Sequence, residues 1–154
     1  MYGINMRTVL STQFSFYGLA QVTALPGGSR THLAFECLTH SLQADPPAPS
    51  LASYALFISD EGSVYPPTLQ AHHIPFGQLL IIKAKDPDSV WKTSLEAMQT
   101  GLFSFVIMRP SRPCPAHYLR NLQLCAERKQ VKVLILCDER LPHWTLKATL
   151  VQQN

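Results

Sequence analysis

The sequence lacks a long apolar run, and this absence argues against a membrane-spanning protein. Among its 154 residues, no apolar segment reaches the roughly 18–20 residues that a helix needs to cross a bilayer. Residues 1–11 also lack the charged and apolar regions that together make a signal peptide. We therefore expect a soluble cytoplasmic protein that has no membrane-spanning segment.

The cysteines are scattered along the chain. The chain has four cysteines, at Cys37, Cys114, Cys125 and Cys137. None belongs to a C-x-x-C pair or has a histidine at the spacing of a zinc site. Three of them lie in apolar or amphipathic segments, where a free thiol behaves as a small hydrophobic side chain. Because cytosolic thiols stay reduced, we expect structural thiols, with neither disulfides nor a metal site.

The chain as a whole carries no large excess of positive or negative charge. The formal net charge of +3 is too small to indicate a nucleic-acid partner by itself. One stretch is locally basic and contains Arg109, Arg112, Arg120, Arg128 and Lys129. Such charges are typical of a solvated face, and no aromatic platform for stacking bases accompanies them. These residues are therefore a candidate basic interaction face, and direct nucleic-acid binding is not favoured.

Short apolar runs alternate with segments of helical periodicity along most of the chain. The patterns predict strands at residues 22–25, 54–58, 79–82, 103–108 and 131–136, helices at 31–42, 87–100 and 115–129, and a final edge strand at 144–151. This alternation predicts a three-layer α/β domain with a mostly parallel sheet. We expect a single domain over residues 1–154, with residues 1–13 as a flexible arm and a core over about residues 20–140.

The clearest helix boundary lies after the third apolar run. Asp86 is a typical N-cap residue, Pro87 suits the first helical position, and Asp88 places an acid in the first turn. Gly101 is expected to end this helix. Its predicted core face consists of Val90, Trp91, Leu95 and Met98.

Residues 21–38 are the stretch around which the chain is organised. They have the pattern of a strand, a glycine turn and a helix that opens at Thr31, which is the layout of a P-loop. Compared with G-x-x-x-x-G-K-[ST], however, Ala24 replaces the first glycine, Ser29 the second and Arg30 the lysine. The degenerate nucleotide-binding positions are Gly27, Gly28, Ser29, Arg30 and Thr31.

The order of these elements resembles the core of the RecA recombinase family. The resemblance covers roughly residues 20–140, and the segments that carry it are residues 21–38, 56–61, 79–85, 97–101 and 105–111. Within that superfamily, residues 85–88, the helix with Trp91 and residues 118–127 look most like the RecA-like proteins ImuA and SulA. The family implies a three-layer RecA-like P-loop fold with strand order 3-2-4-5-1 and the last strand beyond strand 1.

The resemblance implies an altered catalytic site. Glu61 falls where RecA enzymes keep the glutamate that activates water, so it is a catalytic candidate, with a solvated turn acid as the alternative. Strand four should end in an aspartate that helps to hold Mg²⁺, but Arg109 stands near that position, and a cation there repels Mg²⁺. We therefore expect neither ATP hydrolysis nor a bound cofactor.

For function, the resemblance implies a non-catalytic regulator of the DNA-damage (SOS) response that acts by protein–protein contact. The leading hypothesis follows ImuA and gives RecA or translesion-synthesis proteins as partners. A second follows SulA and gives a cell-division inhibitor that binds the tubulin-like division protein. A divergent nucleotide-binding ATPase is the third. The sequence leaves the partner and the formation of a homo-oligomer open.

Overall fold

The computed structural model describes residues 17–24, 30–44, 54–62, 76–137, 141–142 and 148–152. Within these ranges the elements are β1 (Gly18–Ala24), α1 (Arg30–Ala44), β2 (Tyr54–Ser59), a 3₁₀ turn (Phe76–Gln78), β3 (Leu79–Lys83), α2 (Pro87–Gln99), β4 (Phe103–Arg109), α3 (Ala116–Lys129), β5 (Lys132–Leu136) and β6 (Ala148–Gln152). The expected arm at residues 1–13 lies outside the described residues. Among the described helices, none is both long and apolar enough to cross a bilayer.

The described strands form one sheet in the order β3-β2-β4-β5-β1-β6, and every neighbouring pair is parallel. This confirms the predicted fold class, and the order of the strands agrees with the one that the resemblance implies. The edge strand expected at 144–151 is described over 148–152, beside β1. Since all strands are parallel, their carboxyl ends meet along one edge of the sheet.

The core is divided by the sheet into two layers. On one side α1 contributes Leu33, Phe35 and Leu38, which pack with Ala55 and Phe57 of β2. On the other side α2 and α3 pack against the alternate residues of β2, Leu56 and Ile58. Strands covered on both faces need apolar side chains at every position, which explains the continuous apolar runs of β2, β4 and β5.

β1 begins four residues earlier than predicted, at Gly18 instead of Val22. The residue that interrupted the apolar pattern is Gln21, which is buried inside the strand. Its side-chain amide is paired: Nε2 donates to the Cys137 carbonyl at 3.0 Å, and Oε1 accepts from the Leu141 N–H at 3.3 Å. A buried polar side chain is tolerated when it is hydrogen-bonded, so a strand can continue through it.

α2 has the boundaries that its sequence predicts. Asp86 is the N-cap, and its carboxylate accepts a hydrogen bond from the Ser89 N–H at 2.8 Å. Gly101, with φ of +76°, follows the last turn in the left-handed region that favours glycine. Val90, Trp91 and Met98 are buried in the core as expected, whereas Leu95 is only partly buried and packs against the same core.

The four cysteines are free and buried. Burial raises the pKa of the Cys114 thiol to about 12, with a smaller contribution from the charge of Asp88. Burial and the neighbouring Glu36 likewise raise the pKa of Cys37 far above its usual value. Both thiols are therefore protonated at neutral pH and poorly nucleophilic, which agrees with the predicted structural role.

The Asp86 cap gives a testable dependence on pH. Hydrogen bonds from the side chain and the backbone N–H of Ser89 hold the pKa of the Asp86 carboxyl below its ordinary value. A lowered pKa in the folded state stabilises the protein above the unfolded-state pKa, and this contribution is lost as the pH falls through the lowered value. We expect Asp86→Ala to lower the Tm at pH 7, and the difference from the wild type to shrink in acid.

The comparison variant is Asp88→Ala, which removes an exposed carboxylate of the same first turn but leaves the cap intact. Thermal unfolding followed by circular dichroism between pH 2 and pH 7 would measure both differences. A loss of Tm in Asp86→Ala that is the same at every pH would contradict a role for the ionised cap.

Candidate functional site

The candidate site lies at the carboxyl edge of the sheet, where α/β proteins commonly place ligand groups. β2 ends at Ser59, β4 ends at Arg109, and these two residues are paired in the sheet. α1 begins at Arg30, so its second residue, Thr31, lies at the same edge. Parallel pairing thus brings together three side chains that are far apart in sequence.

Arg109 is the centre of this site. Its Nε donates to Ser59 Oγ at 3.1 Å, its Nη1 to Thr31 Oγ1 at 3.3 Å, and its Nη2 to the Glu61 carbonyl oxygen at 2.5 Å. The guanidinium carbon also lies 5.3 Å from the centroid of the Phe57 ring, within the range of a cation–π contact. The planar fork of an arginine suits such a set of partners, which a lysine cannot contact simultaneously.

The turn after β2 presents a carbonyl oxygen and a hydroxyl to Arg109. Ser59 Oγ accepts from the Glu61 N–H at 3.0 Å and donates to the Glu61 carbonyl at 2.9 Å, so the turn is closed by its own hydroxyl. Gly62 follows with φ of +57°, a conformation that costs little only for a residue without Cβ. The contacts of Glu61 in this network come from its main chain, and the residue is exposed.

A second contact ties the same two loops together. Asp60, between Ser59 and Glu61, accepts from the backbone N–H of Ser111 at 2.7 Å through Oδ1. Its Oδ2 accepts from the Ser111 hydroxyl. Because Ser111 follows β4 by two residues, the loops after β2 and β4 are joined both by Arg109 and by Asp60.

The predicted nucleotide-binding residues are only partly visible. Gly27, Gly28 and Ser29 lie outside the described residues, and Arg30 is the first residue of α1. Thr31 is half-buried, and its hydroxyl accepts from Arg109. In a working P-loop the hydroxyl at this position binds Mg²⁺. Here the Arg109 guanidinium lies beside the Thr31 hydroxyl. In the RecA-like comparison, this is near the position at which an enzyme would hold Mg²⁺.

The residues of the candidate basic face are not all brought together. Arg109 is half-buried and belongs to the network just described, whereas Arg112 and Arg120 are exposed near the amino end of α3. Arg128 and Lys129 lie in the last turn of α3, which is about 15 Å from its first turn at 1.5 Å per residue. Positive charges in the last turn of a helix interact favourably with the helix dipole, so these two residues have a structural role.

Sequence reasoning missed an apolar surface near the amino ends of β2 and β4. Tyr54, Leu80 and Leu102 are each about half exposed, at 47%, 47% and 51%. Together with Leu79 and Phe103, they line a pocket of about 370 Å³. Two features of the sequence could have predicted this surface. β3 is a continuous apolar run, and the strand order implied by the family resemblance puts it at the end of the sheet. Among the described residues, no group of three histidines, cysteines or acids could hold a metal ion.

Comparison with known proteins gives a likeness in fold. No protein-family model matches the chain. No curated protein matches it. Among solved structures, the crystal structure of SulA from Pseudomonas aeruginosa matches with a TM-score of 0.52 and 18% sequence identity, over 78% of this chain and 98% of that one. At this identity the likeness shows the fold alone, and 110 chains of solved structures match in all.

The Arg109 network predicts a measurable contribution to stability. Arg109→Ala removes hydrogen bonds to three residues and leaves the Thr31 and Ser59 hydroxyls with fewer partners. Since hydrogen bonds of charged groups are worth more than neutral ones, we expect the free energy of unfolding to fall by about 1–3 kcal/mol. Urea unfolding followed by tryptophan fluorescence would measure the change.

The matched control is Arg112→Ala, an exposed arginine three residues further along the same loop. We expect its effect to stay within about 0.5 kcal/mol, as for most surface substitutions. Equal effects of the two variants would contradict the central role given to Arg109.

Proposed function

We propose that this chain is a non-catalytic regulator that inhibits cell division by binding the tubulin-like division protein. The observation that carries the proposal is the fold likeness to SulA, which covers 98% of that chain. The match therefore includes nearly the whole of a protein of this type and is not confined to a shared core. A cell-division inhibitor is what the resemblance to SulA implies, and the partner is carried over from it.

The absence of catalysis is part of the proposal. A P-loop enzyme needs Mg²⁺ at the hydroxyl that Thr31 supplies, and Mg²⁺ is repelled by a nearby positive charge. The Arg109 guanidinium lies 3.3 Å from that hydroxyl, and it is anchored on Ser59 and Glu61. Binding of a Mg²⁺–nucleotide would require the Arg109 guanidinium to leave its partners. The site therefore favours a structural role for Arg109 over nucleotide binding.

This part of the proposal can be tested by titrating the protein with a fluorescent ATP analogue and Mg²⁺. We expect no saturable binding up to about 1 mM nucleotide, an affinity that corresponds to only about 4 kcal/mol. Arg30→Ala is the matched variant because Arg30 replaces the P-loop lysine. Saturable binding that is lost in Arg30→Ala would contradict the non-catalytic assignment.

A second candidate function keeps the same fold and changes the partner to RecA or translesion-synthesis proteins. What supports it is the strand order β3-β2-β4-β5-β1-β6, the order expected from the RecA-like resemblance. Because protomers that assemble head to tail form open filaments, a protein that imitates one assembly face would cap them. This candidate also requires no catalysis.

A single experiment separates the two partners. The purified chain is titrated into the tubulin-like division protein of its own host with GTP, and in parallel into RecA with single-stranded DNA and ATP, and polymer is measured by sedimentation. We expect pelleted division protein to fall as the chain approaches a one-to-one ratio, since bound subunits leave the assembly equilibrium. Loss of RecA filaments alone would establish the second candidate, and no effect on either polymer would reject both.

A further inference from the structure

The outer side of α3 carries three side chains that the fold does not use. Arg120, Leu124 and Arg128 follow one another at intervals of four residues, so they lie along one side of the helix, and all three are exposed. We call these three residues the α3 face. The side chains that α3 buries belong to its other side: Leu119, Leu122, Gln123, Cys125 and Ala126. Substitutions on the α3 face should therefore leave the core intact.

Leu124 is the apolar centre of the α3 face. Its side chain is 52% exposed, and it does not belong to the core cluster that α3 shares with the sheet. A single exposed leucine is common on protein surfaces and does not by itself mark an interaction site. Here, however, Arg120 stands four residues before it and Arg128 four residues after it. Each arginine is thus about one helical turn, or about 6 Å along the axis, from the leucine.

The two arginines are not neutralised by the chain itself. Within the described part of the chain, neither Arg120 nor Arg128 has a hydrogen bond or an ion pair. The adjacent acid, Glu127, accepts from Gln123 Nε2 at 2.8 Å, and Gln123 Oε1 accepts from the Leu19 N–H at 2.7 Å. The interaction of Arg128 with the helix dipole needs no side-chain contact, so its guanidinium stays accessible. The α3 face therefore presents two positive charges about 12 Å apart along the axis.

We propose that the α3 face binds an acidic helical segment of another protein, in which an apolar side chain lies between two carboxylates. The apolar side chain covers Leu124, and the carboxylates bind the planar guanidinium groups of Arg120 and Arg128. A helix with two acids eight positions apart and an apolar residue midway has the same spacing of about 12 Å between its charges. The opposite charges of the two surfaces set the register and speed the encounter.

The composition of the α3 face distinguishes this partner from two others. A nucleic acid is bound through positive charge on its backbone and aromatic stacking on its bases, and neither interaction uses a central leucine. A second copy of this chain, related by a two-fold axis, would bring the arginines of both α3 faces together, and like charges in an interface oppose association. An acidic segment with an apolar residue uses both the arginines and the leucine.

A labelled helical peptide is the probe that tests this binding. It carries two glutamates eight positions apart with a leucine midway, and a second peptide has serine in place of that leucine. Fluorescence anisotropy with the full chain in low salt measures both dissociation constants. We expect saturable binding of the leucine peptide below about 1 mM. The serine peptide should bind at least about fivefold more weakly, because burial of a leucine side chain is favourable.

Arg120→Glu tests the charge, and Lys92→Glu is its matched control. Both reverse one positive charge at an exposed helical position, but Lys92 lies on α2 and not on the α3 face. We expect Arg120→Glu to weaken binding of the leucine peptide about tenfold and Lys92→Glu to change it by less than about twofold. An equal loss in the two variants, or no saturable binding to the wild type, would overturn the proposal.

Leu124→Lys separates the proposed partner from a polyanion. The substitution removes the apolar centre and adds a positive charge, so the leucine peptide should bind about fivefold more weakly, whereas a single-stranded oligonucleotide should bind more tightly. Tighter binding of the peptide to Leu124→Lys would show that charge alone attracts it, and the proposal would then be wrong. Neither the division protein nor RecA takes part in these measurements, so their outcome is independent of the proposed function.

Discussion

The arrangement of the carboxyl edge depends on one cation, the guanidinium of Arg109. It contacts the end of β2, the turn after β2 and the first turn of α1, and it rests on the Phe57 ring. The first turn of α1 and the end of β2 belong to different parts of the chain, so this side chain links elements that are far apart in sequence.

Features with a local cause could be predicted from the sequence. The start of α2 depends on Asp86 and its bond to Ser89, three residues away, and its end depends on Gly101. The apolar runs predicted the central strands because a parallel sheet covered on both faces requires them. The fold class followed from the alternation of these elements, and the strand order from a family resemblance.

Features that depend on distant residues could not be predicted in the same way. The partners of Arg109 lie between 48 and 78 positions away in sequence, so its network appears only when the sheet has formed. Lys132 is similar: it is buried, and its Nζ donates to Ser41 Oγ at 3.1 Å, 91 positions away. In the sequence it follows the basic residues Arg128 and Lys129 closely, and charge alone does not distinguish a solvated lysine from a buried one that has a partner.

The carboxyl edge of the sheet and its outer strand β3 differ in the kind of side chain that they present. At the carboxyl edge, Arg109 donates to Ser59 and Asp60 accepts from Ser111, so a ligand that entered there would compete with internal hydrogen bonds. At β3, Leu80 and Ile81 are exposed, and covering them requires no internal bond to break. Burial of apolar surface is the main favourable term in protein association. The exposed leucine and isoleucine of β3 therefore offer apolar surface that can be buried, whereas the described polar groups at the carboxyl edge already have partners within the chain.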